Sequence, residues 1–320
     1  MARVDSLFVG AMIGRIRRPG PMVAIALVYL AAASGIMIWR GISVSPDYIL
    51  LLCVPIALLS GHVLRFLRDW IPFVAIFLGY EGLRSIAPKL GIAPHLKDVV
   101  SVESTLFGGH IPSAVLQSTF TGGVGRALAY AGTVVYFCHF ALPFAVGLVL
   151  WLSNRTQFLR YSTALIGMSF LGFVIFLLLP TAPPWYAENA GLISGVTKLI
   201  DTTLPSAVSP FYSHLNSDPV AAFPSLHAAY PFLAFLALRP VFPRGSSIAA
   251  VWTLLVAFSV VYLGEHWAID VFGGWLFAGL CWLAMTRLLV PHVPALQQAR
   301  PSLDVQEPLH GEGARAGAVA

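Results

Sequence analysis

Long apolar runs recur along the chain, and they constrain its fold more than any other feature of the sequence. A helix needs about 20 mostly apolar residues to cross a bilayer, with about 17–25 tolerated. Eight runs approach that length: 22–39, 48–67, 70–86, 127–152, 161–179, 224–238, 247–263 and 269–290. Only 10% of the residues are charged, whereas a soluble domain carries about 25%. We therefore predict an all-α polytopic membrane helix bundle.

The predicted number of spans is eight, with six or seven as alternatives. The third run contains Glu81 and Arg84, and the sixth run is short. If the N-terminus is cytoplasmic, 13 of the 19 Lys and Arg residues fall in cytoplasmic segments, as the positive-inside rule requires. The net charge of +5 is then explained by topology. We therefore predict contact with the bilayer and no nucleic-acid partner.

The same topology divides the chain into three parts. We expect a cytoplasmic N-terminal segment over residues 1–21, a membrane-embedded domain over 22–290 and a disordered cytoplasmic tail over 291–320. The first run also fits a signal peptide with a cleavage site at 31–33, but its apolar residues continue to Trp39 and favour a retained span. The high usage of Ala, Gly, Val and Arg favours the plasma membrane of a bacterium with a GC-rich genome.

Two outer segments, 87–126 and 180–223, are too long for simple turns and too rich in Pro and Gly for spans. Long ordered loops usually serve a function. Apolar residues spread among polar ones through 104–120 predict one interfacial or re-entrant helix in the first segment.

Two histidines and a carboxylate lie at the predicted outer ends of two spans. Phe-Pro-Ser-Leu-His ends at His227, and Glu-His-Trp-Ala-Ile-Asp places His266 four residues before Asp270. Positions four apart share a helix face, so the carboxylate can accept the imidazole N–H and leave the other ring nitrogen with its lone pair. His266 is therefore the candidate nucleophile, with Asp270 as its orienting group and His227 as the acid or base. A capping or interfacial role is the alternative for any single histidine.

Five stretches of the sequence, which include these two motifs, resemble the same family of proteins. They are Phe-Gly-Gly-His-Ile-Pro-Ser-Ala-Val-Leu-Gln (107–117), Tyr-Phe-Cys-His-Phe-Ala-Leu-Pro (136–143), Leu-Pro-Thr-Ala-Pro-Pro-Trp-Tyr (179–186), 223–230 and 262–270. Together they resemble the type 2 phosphatidic acid phosphatase superfamily, and within it the inositol phosphorylceramide synthase (inositol phosphotransferase) branch. The resemblance covers about residues 80–285. It implies a six-helix catalytic core and a phosphohistidine intermediate.

The chain departs from the phosphatase branches of that superfamily, which carry Lys-x6-Arg-Pro, Pro-Ser-Gly-His and Ser-Arg-x5-His-x3-Asp. It has no Lys-x6-Arg-Pro, Leu226 replaces the glycine, and Ser259-Val260 stands in place of Ser-Arg. The inositol phosphotransferase branch lacks the same cations, so the departures favour that branch. Which groups neutralise the phosphate stays open at this point.

Six further residues are candidates for substrate binding, because a transferring phosphoryl group needs donors aimed at its oxygens. They are Arg84, His139, Trp185, Tyr186, Lys198 and Ser225. Arg84 leads because a cation inside a span needs a partner, with an ion pair to Glu81 as the alternative. The prolines of 180–184 lack amide donors, so we expect a rigid rim that holds Trp185 and Tyr186 at headgroup depth.

The function implied by the resemblance is transfer of an inositol-phosphate-like group from a phosphatidylinositol-like donor to a lipid alcohol at the outer membrane face. A lipid-phosphate or prenyl-diphosphate phosphatase is the close alternative, because it would use the same catalytic residues. A transporter or non-catalytic scaffold is less favoured, since no internal repeat relates the two halves of the chain. The sequence has no His-Glu-x-x-His zinc motif, and we predict neither a metal nor a cofactor. The oligomeric state is left open.

Overall fold

The computed structural model describes residues 19–39, 46–84, 92–138, 141–204 and 221–297, and every regular element in these ranges is helical. The helices are α1 (Pro19–Trp39), α2 (Pro46–Ser60), α3 (Val63–Arg84), α4 (Lys97–Leu106), α5 (Pro112–Thr119), α6 (Gly122–Phe137), α7 (Leu142–Ser153), α8 (Arg155–Leu178), α9 (Pro184–Asn189), α10 (Ile200–Thr203), α11 (Leu226–Leu238), α12 (Pro243–Tyr262), α13 (Ala268–Ala284) and α14 (Pro294–Gln297). A π-helical turn, Met285–Leu289, extends α13. The predicted all-α class is confirmed for this part of the chain.

Three helices in the described ranges are long and apolar enough to cross a membrane: α8, α12, and α13 with its π-helical extension. The pair α6 and α7 makes a fourth candidate, bent by 52°. The three straight helices coincide with the apolar runs 161–179, 247–263 and 269–290. The chain is an integral membrane protein, and the count of eight spans stays a prediction.

Two apolar runs that were predicted to be continuous spans are broken. The run 48–67 is divided at Gly61, whose φ of +75° ends α2 before α3 begins. The run 127–152 is divided between α6 and α7, and Pro143 lies in the first turn of α7, where its missing amide costs no helical hydrogen bond. The prediction of one helix in each run was wrong, because apolar composition does not report where the backbone changes direction.

The segment 104–120 also differs from the single helix expected there. Gly108 and Gly109 have φ values of +63° and +90°, a region that residues with a Cβ rarely adopt, and α4 ends before them. Pro112 then begins α5. Two short helices therefore cover a stretch whose apolar pattern fitted one.

Helix α11 lies at the centre of the bundle, where it packs against α7, α8, α12 and α13. Four of its alanines, Ala228, Ala229, Ala234 and Ala237, are fully buried. Small side chains allow helix backbones to approach closely inside a membrane. His227, the second residue of α11, is thereby placed among the helices rather than on the periphery.

An ion pair joins α3 to α8 at the end of α8 that is remote from residues 180–182. Arg155 donates from Nε and Nη2 to the two carboxylate oxygens of Asp69, at 2.7 and 2.6 Å. The indole nitrogen of Trp151 donates to the same carboxylate at 3.1 Å. Bidentate contacts between charged groups are strong and directional, so this contact fixes how α3 lies against α7 and α8.

The first residues of the predicted disordered tail are ordered. Helix α14 buries Leu296, and Arg160 of α8 donates from Nε to the Leu296 carbonyl at 2.8 Å. The rest of the tail, residues 298–320, lies outside the described residues, as do residues 1–18.

Candidate active site

His227 is positioned by the first turn of α11. The hydroxyl of Ser225, the N-cap residue, accepts a hydrogen bond from the amide of Ala228 at 3.3 Å. The amide of Ser225 donates to the carbonyl of Asp270 at 3.0 Å. This second bond joins the beginning of α11 to the first turn of α13, so the backbone itself holds the two sequence motifs together. Ser225 is fully buried and serves as a helix cap; its role in substrate binding stays a prediction.

His266 lies in the turn between α12 and α13. Gly264 adopts a φ of +78° there, and a Cβ on it would lie 3.1 Å from the carbonyl oxygen of Thr197, so the turn requires glycine. The amides of Glu265 and His266 both donate to the carbonyl of Val260, at 3.0 and 3.1 Å. The turn therefore folds back against α12 and buries His266, which is 5% exposed.

The three residues predicted to carry the chemistry meet at this point. Nδ1 of His266 lies 3.4 Å from Oδ2 of Asp270, and Nε2 of His266 lies 3.1 Å from Nδ1 of His227. Asp270 is fully buried, and its Oδ2 also accepts from the amide of Trp267 at 2.9 Å. The carboxylate thus faces one nitrogen of the His266 ring while the other nitrogen faces the second imidazole. A nucleophile, an orienting group and a proton donor need this order.

Tyr136 covers one face of His227. The two rings are stacked, with centroids 4.4 Å apart and an angle of 25° between their planes. Tyr136 is itself buried near the end of α6. The aromatic ring therefore limits the positions that the His227 imidazole can take.

The stretch 180–184, predicted to be a rim, is instead buried between the two motifs. Thr181 and Ala182 are 2% and 0% exposed. The hydroxyl oxygen of Thr181 accepts from the amide of Phe223 at 2.7 Å, and the carbonyl of Ala182 accepts from the indole nitrogen of Trp267 at 2.8 Å. One loop thus hydrogen-bonds both Phe223, which lies shortly before His227, and Trp267, which directly follows His266. Its prolines fix the backbone in a bracket that joins the motifs, and the headgroup depth expected for Trp185 and Tyr186 stays a prediction.

Lys198 and Trp185 come together on the next part of that loop. The Lys198 ammonium lies 4.7 Å from the centroid of the Trp185 ring and 3.6 Å from the carboxylate of Asp201. The amides of Trp185 and Leu199 donate to the carbonyls of Gly264 and Leu263, respectively, at 3.2 Å each. These backbone contacts attach the loop to the turn that carries His266.

Of the three other predicted binding residues, only Tyr186 has a side chain that the structure describes. The ring of Tyr186 lies 5.7 Å from that of Trp185, so the two aromatic residues do adjoin each other. Arg84 is the last residue of α3, and its side chain lies outside what the structure describes. His139 also falls outside the described residues. Binding roles for all three stay predictions.

Gln117 and Glu103 hold the site together, and the sequence reasoning had assigned neither a role. The Gln117 amide group donates to the carbonyls of Thr197 and Tyr262, at 2.8 and 2.9 Å, and accepts from the amide of Thr197 at 2.8 Å. Glu103 accepts from two amides at the start of α13. The motif that ends at Gln117 was the available signal for that residue, whereas nothing local in the sequence distinguished Glu103.

A cavity of about 1000 Å³ opens beside this assembly. Its walls in the described chain come from α4, α5, α6 and their connecting residues, from residues 192–203 and from Tyr262; Arg126 lines it, whereas His227 and His266 do not. Thr203 lines it and also hydrogen-bonds Thr133 of α6, one helical turn before Tyr136. The cavity is therefore a neighbour of the histidine pair rather than its container.

A family model described as the PAP2 superfamily matches residues 97–284, which include α4, both histidine motifs and the intervening loop. The chain belongs to the PAP2 superfamily. Within this superfamily it resembles inositol phosphorylceramide synthases, as the sequence motifs predicted. No solved structure gives a significant match.

Relatives with assigned names are found in fungi and bacteria. The chain is 27% identical over 225 residues to the inositol phosphorylceramide synthase catalytic subunit of Schizosaccharomyces pombe, covering 67% of this chain and 51% of that protein. It is 27% identical over 236 residues to the phosphoinositol dihydroceramide synthase of Bacteroides thetaiotaomicron, covering 67% and 74%. It is 28% identical to the inositol phosphorylceramide synthase of Candida albicans, covering 56% of this chain and 39% of that protein. The match thus spans about half the length of the Schizosaccharomyces pombe protein and less of the Candida albicans one.

Proposed function

We propose that this PAP2 superfamily member is a membrane phosphotransferase that moves an inositol-phosphate-like group from a phosphatidylinositol-like donor to a lipid alcohol. The observation that carries the proposal is the contact of His266 with both Asp270 and His227, at 3.4 and 3.1 Å. The names of the relatives supply the substrate class, since they specify inositol phosphorylceramide and phosphoinositol dihydroceramide.

In the first half-reaction Nε2 of His266 attacks the donor phosphorus. A nitrogen–phosphorus bond forms while the bond from phosphorus to the diacylglycerol oxygen breaks. His227 gives a proton to that oxygen, so diacylglycerol leaves as a neutral alcohol. Asp270 faces Nδ1 and stabilises the positive charge that develops on the ring.

In the second half-reaction a lipid alcohol replaces diacylglycerol. His227, which has lost its proton, accepts one from the incoming hydroxyl, and the alcohol oxygen attacks phosphorus. The nitrogen–phosphorus bond breaks, and its electron pair returns to His266. The inositol phosphate group is transferred without net change in charge or oxidation state, and both histidines return to their first state.

The resting geometry adds one requirement. A nucleophile and its target lie about 3–3.5 Å apart before reaction, yet His227 already occupies that distance from Nε2 of His266. The donor phosphate must therefore separate the two rings when it binds. His227 then meets the phosphate oxygen and His266 meets the phosphorus.

The purified full-length protein in mixed micelles, incubated with inositol-labelled phosphatidylinositol, tests the proposal. With a ceramide-type acceptor, label should move to a new lipid, and omitting the acceptor should abolish that product. Label released as water-soluble inositol phosphate in both reactions would instead indicate hydrolysis. No turnover of the donor under either condition would refute the proposal.

We further propose that the reaction takes place on the outer face of a bacterial plasma membrane, with both termini in the cytoplasm. The distribution of positive charge supports this orientation. The two ends of α12 provide a test of this orientation. Ser194 lies in the loop attached to the turn that carries His266, and Ser247 lies near Pro243 at the opposite end of α12. Both serines are exposed.

Single cysteines are introduced at these two positions after the three native cysteines are replaced. An impermeant thiol reagent added to intact cells should label Ser194→Cys and leave Ser247→Cys unlabelled until the cells are opened. The reverse pattern would place the site in the cytoplasm. Glu265 and Ser246 are unsuitable for this experiment because both are 6% exposed.

A further inference from the structure

Glu103 reverses the usual burial pattern of a surface helix. It is the buried residue of α4 and is fully inaccessible, whereas Val102 and Leu106 of the same helix are 49% and 66% exposed. Burial of a carboxylate costs much free energy unless hydrogen-bond donors compensate for the lost water. The partners of this side chain must therefore explain its position.

Those partners are the first amides of α13. Oε1 of Glu103 accepts from the amide of Ala268 at 2.8 Å, and Oε2 accepts from the amide of Ile269 at 3.0 Å. The first amides of a helix have no acceptor within the helix, and the positive end of the helix dipole favours an anion. Glu103 thus supplies a cap from a helix more than 160 positions earlier in the chain.

Asp270 completes the same cap from within α13. Its Oδ2 accepts from the amide of Trp267 at 2.9 Å and lies 3.4 Å from Nδ1 of His266. Glu103 already accepts from the next two amides, those of Ala268 and Ile269. These amides therefore do not compete with His266 for the Asp270 carboxylate. Each carboxylate therefore has its own donors, and that of Asp270 remains beside the imidazole.

We infer that Glu103 is a positioning residue of the phosphotransfer site, which binds the amides of Ala268 and Ile269 and so keeps the Asp270 carboxylate directed at His266. The inference rests on the proposed function. Glu103 acts through Asp270 and is not assigned a contact with substrate.

The surroundings of the Glu103 carboxyl act on its charge in opposite directions. Burial raises the pKa of its carboxyl above the ordinary value, the two amide donors lower it, and the charge of Asp270 raises it further. Two carboxylates share one helix end, and the amides of that end offset part of the repulsion between them.

Glu103→Gln tests the inference, because its amide offers one acceptor where the carboxylate offers two. Loss of a group that orients a metal-ligating residue costs about 10- to 100-fold in activity, and we take the same scale for this orienting group. We expect kcat for transfer to fall by about that factor while KM for the donor stays within about threefold. Asp69→Asn is the matched control: it alters a buried carboxylate at the remote end of α8, so it should lower the unfolding temperature and keep kcat near that of the wild type.

A double-mutant cycle separates positioning from a general loss of structure. In an Asp270→Asn background, adding Glu103→Gln should lower kcat by less than about threefold, because the group through which Glu103 acts is already altered. Equal losses in both backgrounds would overturn the inference. If Glu103→Gln does not fold, Glu103→Asp, which keeps the charge, replaces it in the same cycle.

The two proposals fail in different ways. A wild-type protein that transfers no label refutes the proposed function and this inference with it. An active wild type with an unchanged kcat in Glu103→Gln refutes the role of Glu103 alone.

Discussion

Gly274 sets the separation between α11, which carries His227, and α13, which begins two residues after His266. It lies one turn after Asp270 on α13, and a Cβ at this position would lie 2.3 Å from the carbonyl oxygen of Ser225. Ser225 caps α11 two residues before His227. Because the obstructing atom belongs to the backbone, Gly274→Ala can be accommodated only if α11 and α13 move apart.

The size of that movement follows from the contact. Real Cβ atoms essentially never approach within 3.0 Å of a neighbour and ordinarily lie at 3.4 Å or more. The contact must therefore lengthen by roughly 1 Å, and the distance from His227 to His266 should change by a similar amount. A misplacement of about 1 Å can cost about 100-fold in rate. We expect Gly274→Ala to lower kcat by about that factor.

Gly279→Ala on the same helix is the control for this experiment. The nearest atom to a Cβ at Gly279 is 3.9 Å away, on the ring of Phe232. Alanine is favoured over glycine in a helix by up to about 1 kcal/mol, so this variant should keep its activity and be at least as stable as the wild type. Both variants are assayed for lipid transfer and for the unfolding temperature in the same detergent. A Gly274→Ala protein that keeps more than a third of wild-type kcat would refute the reasoning.

Three further predictions concern individual side chains. His266→Ala should lower transfer by orders of magnitude with normal membrane insertion, since the nucleophilic nitrogen is lost; a variant with a tenth of wild-type turnover would contradict this role. Asp270→Asn should lower kcat by about 10⁴-fold, as for orienting carboxylates elsewhere, whereas near-normal turnover would mean that another group orients His266. Because the pKa of Glu103 is raised in the folded protein, its contribution to stability is complete below the ordinary pKa and is lost as the pH rises through the raised one. The unfolding temperature of the wild type should therefore fall relative to that of Glu103→Gln as the pH rises. If the difference in unfolding temperature between the two proteins does not depend on pH, the pKa of Glu103 is not raised in the folded protein.

The grouping of His227, His266 and Asp270 was the most predictable part of the structure, because much of its signal is local. The spacing of His266 and Asp270 predicted that they share a helix face; the two side chains do approach to 3.4 Å, but His266 lies in the turn before α13 rather than on the helix. The position of His227 beside them depends on the packing of α11 against α13, which no spacing specifies. The motif likeness supplied that pairing, and the backbone bond from Ser225 to Asp270 provides its physical basis.

The supporting residues were less predictable because their partners are backbone groups far away in sequence. Glu103 bonds amides 165 and 166 positions later, and Gln117 bonds groups 80 and 145 positions later. A side chain that binds a backbone amide leaves no complementary residue in the sequence to reveal the pair. The breaks at Gly61 and after Phe137 were missed for a related reason, since both interrupt runs whose composition remains apolar.

The two histidines have different tasks in the proposed reaction, and this difference predicts which ring moves when phosphate enters. The backbone amide of His266 donates a hydrogen bond to the carbonyl of Val260, and its ring lies beside the Asp270 carboxylate. The next residue, Trp267, is hydrogen-bonded to the bracket. His227 lies in the first turn of α11, stacks against Tyr136 and places its Nδ1 3.1 Å from Nε2 of His266. A nucleophile must keep its line of attack, whereas an acid that first protonates one alcohol and later deprotonates another must serve two positions. We therefore expect the His227 ring to move aside when the donor binds and His266 to stay fixed.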